Sequence, residues 1–518
     1  MQQHIRHSAL DSEARSVSVA SAASAQKFAQ DLATVASMRA SDAANEICAA
    51  PAQGARALYE KLMKTNGQAQ DDLRREALAF VDRWREIMQA QPCDLPDSPE
   101  GLLEWQQGNL DSTGAAYQLY LSERKAGAPR RYFQSRAHAL YFLRAVAPTK
   151  LVDGAWLYGL LPDSANPHFS DLLFTYVEEL GDGDPNRNHV LLFRRLIDAQ
   201  GIVDWAEQPD ESYVQGALQL ALAACTDALL PEVIGFNLGY EQLPLHLLIT
   251  SYELDELGID PTYFTLHVTV DNAAGGHAQR ALRAAMSNIP ALADDGTFWS
   301  RVADGYRLSN AGMGTTDAIG GFDIRAELLR VMHGRASEGS SAHSDYCRIE
   351  GRTVNEWLQS PDGVAGFVAA LERKGWLRQG EDPAQSRFWQ LLQGPGASMF
   401  GVFGDYEQQV IYDWIRGDAA ADGAPFVRET DPAAAPLAPR AFRHVRRAAH
   451  ASPALSLAVL SDSGVGLDPD LAQLRKVLES GDSKEQGAVI RRLLGPALHW
   501  APAGLEATRH VSHVLRTA

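Results

Sequence analysis

The chain has 518 residues, a formal net charge of −18 and four cysteines. A chain of this length buries a substantial core in more than one domain, and its charge argues against nucleic acid or anionic membrane as electrostatic partners. Cys48, Cys93, Cys225 and Cys347 lie far apart with no C-x-x-C pair, so a zinc ribbon or redox dithiol is not expected; reduced thiols in a cytoplasmic protein are.

The opening "MQQHIRHSALDSEARSVSVASAASAQKF" has no apolar leader core, and its polar Ser/Ala character predicts partial disorder. No stretch reaches the roughly 18 apolar residues of a membrane span. From about residue 27 to 91 the pattern is helical, with Leu73, Ala77, Phe80, Val81 and Trp84 on one face. "QPCDLPDSPEG" interrupts it with three prolines, and a second helical block follows. "PDSANPHFS" reads as a loop, "DLLFTYVEEL" as a helix that stops at "GDGDPN", and "HVLLFRRLIDAQGI" as a helix with Gly201 at its C-terminal end. The middle reads as long helices through "QGALQLALAACTDALLPEVIGFNLGYEQLPLHLLITSYELDELG", with Pro231 and Pro244 kinking or starting them. "HVTV" has strand-like residues but poor alternation and helical flanks, so it is read as helix. Helices and loops continue to about residue 417, a low-complexity linker follows, and a basic-leaning helical tail closes the chain.

Acids and histidines in apolar surroundings mark three places. His267 and Asp271 in "YFTLHVTVDNAAGGHAQRAL" are four apart and share a helix face. His277, six further on, points elsewhere in a regular helix, unless Gly275 and Gly276 permit a break that swings it back. The plainer alternative has His267 hydrogen-bonded, Asp271 capping a turn and His277 on the surface. Glu179 closes one helix and His189, ten residues on, opens the next, so both can face one point; equally, Glu178 and Glu179 can be a solvated face. Glu241 lies in an apolar stretch where a bare carboxylate is costly, and His246 and Glu253 follow it. Carboxylates and imidazoles on facing helices suit non-haem iron better than zinc, for which H-E-x-x-H or a compact Cys/His cluster is absent. No Walker loop, G-x-S-x-G elbow or dinucleotide fingerprint occurs. His343, Arg352 and Glu407 read as packing or loop residues before they read as substrate contacts.

The order E-x9-H, E, H-x3-D, H resembles the haem-oxygenase-like di-iron oxidases and oxygenases, a family of iron-containing redox enzymes. The resemblance spans roughly residues 130 to 340 and rests most on "EELGDGDPNRNH" and "YFTLHVTVDNAAGGHA". It implies an all-α protein: a haem-oxygenase-like helical bundle core with extra helical N- and C-terminal segments. It implies Glu179, His189, Glu241, His267, Asp271 and His277 as metal ligands, two Fe(II) per chain, and no catalytic residue beyond them. Asp153 matches a place on an earlier core helix where some members carry an extra carboxylate, with a helix N-cap as its alternative. Many members have two residues between the Asp and the last His where this chain has five, so either the double glycine accommodates the difference or His277 is not a ligand. The implied reaction is O2-dependent oxidation of a small organic molecule, by N-oxygenation, desaturation or C–C cleavage. The expected partners are that substrate and O2, without nucleic acid or membrane, with a homodimer left open. The expected organisation is an N-terminal extension over 1–95, the core over 96–345, a packed helical part over 346–417, and a linker with helical tail over 418–518. A haem-binding or cofactor-free oxidase on the same fold, and a non-catalytic helical scaffold, are the alternatives.

Overall fold

The computed structural model describes residues 51–66, 69–270, 276–292, 296–339, 346–360, 363–393, 397–399, 401–426 and 468–517. Asp271, Gly275 and His343, the expected disorder of the first residues and most of the expected linker lie outside them. The architecture is all-α; among the described residues the only sheet is a hairpin of β1 (Arg348–Ile349) with β2 (Arg352–Thr353). Two helices, α1 (Ala55–Thr65) and α2 (Asp71–Gln89), open the described chain. Helix α2 buries Ala77, Phe80, Val81, Trp84 and Met88, the face that its apolar spacing predicts. Next come α3 (Leu102–Lys125) and α4 (Arg136–Lys150), which the Ser135 side chain caps by accepting from the His138 N–H. A 3-10 segment over Ala155–Asp163 leads to α5 (Ser170–Glu179) and α6 (His189–Ala199).

The expected long central helices are three. Helices α7 (Asp210–Ala224), α8 (Thr226–Tyr240) and α9 (Leu245–Glu256) replace the continuous pattern. Cys225 divides α7 from α8, Leu229 leaves helical geometry just before Pro231, and Pro244 precedes the first residue of α9. Each proline removes a donor and clashes with the preceding turn, which apolar periodicity alone does not register. The segment "HVTV" belongs to helix, in α10 (Thr262–Val270), and α11 (His277–Ser287) follows as a separate helix.

The remaining helices are α12 (Thr297–Leu308), α13 (Thr315–Gly320), α14 (Ile324–Gly339), α15 (Val354–Leu358), α16 (Gly363–Arg373), α17 (Arg387–Gln393), α18 (Asp405–Arg416), α19 (Pro469–Ser480), α20 (Ser483–Leu494) and α21 (Pro502–Thr517). Two apolar clusters organise them. One joins α1, α2, α7, α8, α11 and α12 with the C-terminal helices; the other joins α4, α6, α14, α16 and α18. They meet at the ends of α4, α5 and α6. Leu151 belongs to one cluster and Val152 to the other, and so do Val190 and Leu180. Asp153, Glu179 and His189 occupy that seam. No helix is long and apolar enough to cross a membrane among the described residues.

Candidate metal centre

Glu179 is the last residue of α5, and His189 is the first of α6. Between them Gly181, Asp182 and Gly183 all take positive φ (70°, 54° and 80°), a reversal that side chains with a Cβ rarely adopt. Asn188 then caps α6, its Oδ1 accepting from the Leu191 N–H at 2.9 Å, while its Nδ2 donates to the Leu180 carbonyl at 3.2 Å. This turn brings His189 Nδ1 to 2.5 Å from Glu179 Oε2. Asp153 joins them from the turn after α4, its Oδ2 lying 3.8 Å from His189 Nδ1 and 3.1 Å from His267 Nε2. Neither a core-helix position nor an N-cap role holds for Asp153. The cap residue of the following 3-10 segment is Gly154, with φ 77°, and no side chain caps that segment.

Two further contacts set this first cluster. His267 Nδ1 lies 2.8 Å from the Tyr263 carbonyl, which accepts its proton and leaves Nε2 turned toward Asp153 Oδ2. The Tyr263 hydroxyl donates to Asp153 Oδ2 at 2.6 Å. Asp153, Glu179, His189 and His267 thus offer four ligand atoms, all within 4.8 Å of one another.

The second cluster is Glu179, Glu241 and His277, under the same 4.8 Å limit. Glu241 follows the last residue of α8, and His277 is the first of α11. His277 Nδ1 lies 3.1 Å from Glu179 Oε1 and 3.1 Å from Glu241 Oε2, while its Nε2 lies 3.1 Å from Glu178 Oε2. The two oxygens of Glu179 therefore face two different donor sets. His277 comes round not within one distorted helix but at the start of a new one, with Gly276 as its cap residue.

Burial makes the electrostatics severe, since Asp153, Glu179, Glu241, His189 and His277 are all buried. Burial opposes ionisation of Glu179, yet His189 and His277 outweigh it and hold the carboxyl well below its ordinary range. Burial likewise works against Asp153, but Lys150 and His267 lower it. Glu241 is pushed up, by burial first and by the charges of Glu179 and Asp153 against the pull of His277. At His277 burial disfavours the cation, but Glu241, Glu178 and Glu179 prevail and raise it well above an ordinary histidine. Glu178, opposed by burial, is held at about 2 by His277 and Arg280.

The donor set fits divalent cations. Glu241 Oε1 is buried without a hydrogen bond, and a bare buried polar atom of this kind costs roughly 1–3 kcal/mol. Three buried carboxylates with three imidazoles leave an uncompensated negative charge that divalent ions neutralise. Mixed imidazole and carboxylate donors suit iron. The structure brings together Glu179, His189, Glu241, His267 and His277 of the expected set.

Sequence reading gave Asp153 too small a part and passed over Tyr263. The only signal for Asp153 was an acid inside the apolar run "LVDGAWL", and nothing local marked Tyr263. Glu253, Arg352 and Glu407 have structural partners. Glu253 accepts from the Tyr120 hydroxyl and three backbone N–H groups. Arg352 stacks on the Trp357 ring at 4.0 Å, and Glu407 pairs with Arg335.

Residues 140–309 match the family model of iron-containing redox enzymes, a haem-oxygenase-like family. The matched segment contains all six residues of the two clusters and their Tyr263 contact. It makes the chain an oxidoreductase. Neither the comparison with curated proteins nor that with solved structures gives a match.

Proposed function

We propose, from the premise of an iron-containing redox domain over residues 140–309, that the protein is a non-haem di-iron oxidase or oxygenase acting with O2 on a small organic molecule. The observation that carries this reading is Glu179, whose Oε2 faces His189 and whose Oε1 faces His277. One carboxylate shared by two donor sets is what a bridging ligand between two metal ions requires. Asp153, His189 and His267 would hold one ion, and Glu241 and His277 the other. Asp271 remains a proposed ligand outside the described residues.

Bound ferrous iron supplies the electrons that activate O2. The protein's part is orientation and exclusion of water. Tyr263 fixes His267 through its carbonyl and Asp153 through its hydroxyl, so both first-position donors keep one rotamer and one tautomer. His267 keeps 13% of its side chain exposed while His277 has none, so the first position is the more open toward a substrate. A haem reading uses a single axial imidazole and leaves the other two imidazoles and the three buried carboxylates without a metal to bind, which disfavours it. The unpaired thiols Cys93, Cys225 and Cys347 fit a reducing compartment, and the cytoplasm is the proposed location.

Anaerobic titration with Fe(II) followed by metal counting tests the reading. About two irons per chain are expected, with both lost in Glu179→Ala that keeps its helical circular dichroism. Uptake of a single iron, or Glu179→Ala that still holds two, would sink it.

A further inference from the structure

The second cluster has an outer layer that the ligand assignment does not use. His277 Nε2, on the far side of the imidazole from Glu179 and Glu241, points at Glu178 Oε2 at 3.1 Å. Glu178 is gripped in turn. Arg280, one turn along α11 from His277, places Nη1 2.5 Å from Oε2 and Nη2 3.0 Å from Oε1. Arg516, in the last turn of α21, places Nη2 3.3 Å from Glu178 Oε1 and 3.0 Å from Asp182 Oδ1. The same helix reaches the turn between Glu179 and His189 twice more: Ser512 Oγ donates to Asp182 Oδ1 at 2.7 Å, and Arg509 Nη2 donates to the Gly183 carbonyl at 3.0 Å.

We infer that Glu178 is a positioning residue for His277, and that the end of α21 takes part in setting the affinity of the second metal position. The physical reason is directional. An imidazole that binds metal through Nδ1 must keep its proton on Nε2, and a carboxylate accepting that proton fixes the tautomer, the ring plane and the basicity of Nδ1. Glu178 and Glu179 are adjacent, so a helix turns them about 100° apart. One carboxylate faces the metal positions and the other faces the back of the imidazole. The bidentate Arg280 contact removes the rotamer freedom that a lone glutamate keeps. Arg516 adds a contact from the far end of the chain.

This inference rests on the two-iron reading, and the test separates them. Fe(II) is titrated anaerobically into the full chain, and the two ferrous environments are followed by Mössbauer spectroscopy alongside metal counting. Glu178→Gln keeps the size of the side chain but loses its charge and its arginine clamp. Its expected effect is a roughly 10- to 100-fold weaker affinity at one position, with an altered signature there and an unchanged one at the other. Arg516→Ala, at a half-exposed site, is expected to weaken the same position a few-fold. Wild-type protein taking up fewer than two irons overturns the two-iron reading. Two irons in wild type with unaltered affinities in Glu178→Gln overturns the positioning role alone. Equal weakening at both positions with a lowered Tm marks a folding role and overturns it as well. Wild-type affinities in Arg516→Ala overturn the part assigned to α21.

Discussion

Gly154 sits between a proposed ligand and its neighbour. Its φ is 77°, and a Cβ built there would lie 2.8 Å from Glu179 Cβ. Gly154→Ala therefore meets both a strained backbone and the stem of the shared carboxylate. The expected cost is about 1–3 kcal/mol of stability together with weaker iron retention, read from melting curves with and without Fe(II). Melting curves that match wild type in both conditions would contradict this placement. Tyr263→Phe is a gentler change at the same scale. It removes one donor from Asp153 Oδ2 and leaves the contact to His267 Nε2. Roughly 10-fold weaker binding of one iron is expected, with the second unaffected. An equal effect on both would show that Tyr263 does not act through Asp153.

Helix α4 carries the strand of argument from residues to elements, because its end delivers Asp153. Its start is held by Asp413 of α18, whose Oδ2 accepts from the Ala137 N–H at 2.7 Å and whose Oδ1 accepts from Gln409 Nε2 at 2.8 Å. Burial pushes Asp413 up to about 6, against the pull of those hydrogen bonds and of Ser135 and Arg416. An unfolded Asp titrates near about 3.9, so between about pH 4 and 6 the folded chain binds the extra proton. The Asp413 contribution to stability is therefore greatest below pH 4 and declines as pH rises through 6. Over that window wild type should lose roughly 3 kcal/mol relative to Asp413→Asn, with no further divergence above pH 7. Denaturant midpoints of the two proteins across pH would check it, and parallel curves would refute it. The loop before α4 depends on Glu253 of α9, which accepts from the N–H groups of Arg131, Tyr132 and Phe133 and from the Tyr120 hydroxyl. Glu253→Ala strands four donors, three of them backbone. A loss of about 3–5 kcal/mol is expected, with faster hydrogen exchange at residues 131–133.

On the scale of the whole molecule, the site stitches together elements far apart in the chain. Asp153, Glu179, Glu241 and His277 come from the ends of four different elements, and α21 closes over the turn between α5 and α6. Iron bound to such a site stabilises the folded chain and not the unfolded one. At a hundredfold excess of free Fe(II) over Kd, each occupied position should add about 2.7 kcal/mol, so the Tm should rise with iron and fall on chelation. A Tm indifferent to iron would mean that the clusters do not bind it. Protons compete for the same atoms, and His277 in particular must give up the one on Nδ1. Because that proton is held well above the ordinary histidine range, loading should already weaken as pH falls toward neutral, which is read as proton release on iron binding at neutral pH.

Much of this was legible in the sequence. Helix type came through because apolar spacing on α2, α5 and α6 is a local property that packing reinforces. Glu179 and His189 could be picked out because Gly181, Gly183 and Pro185 mark a break between two helix ends, and backbone rules operate over a few residues. Glu241 stood out as an acid among apolar neighbours, where burial demands a partner. The partner itself was beyond local rules. Which oxygen of Glu179 faces His189 and which faces His277 follows from how α5 is rotated against α11 and the 3-10 segment, a matter of long-range packing. The role of Asp153 depends on meeting His267, 114 residues away, and that of Arg516 on meeting Glu178, 338 residues away. The chain's local chemistry determined which residues are costly to bury. Tertiary structure alone decided which of them share that cost, because burial brings charges together without regard to their distance along the chain.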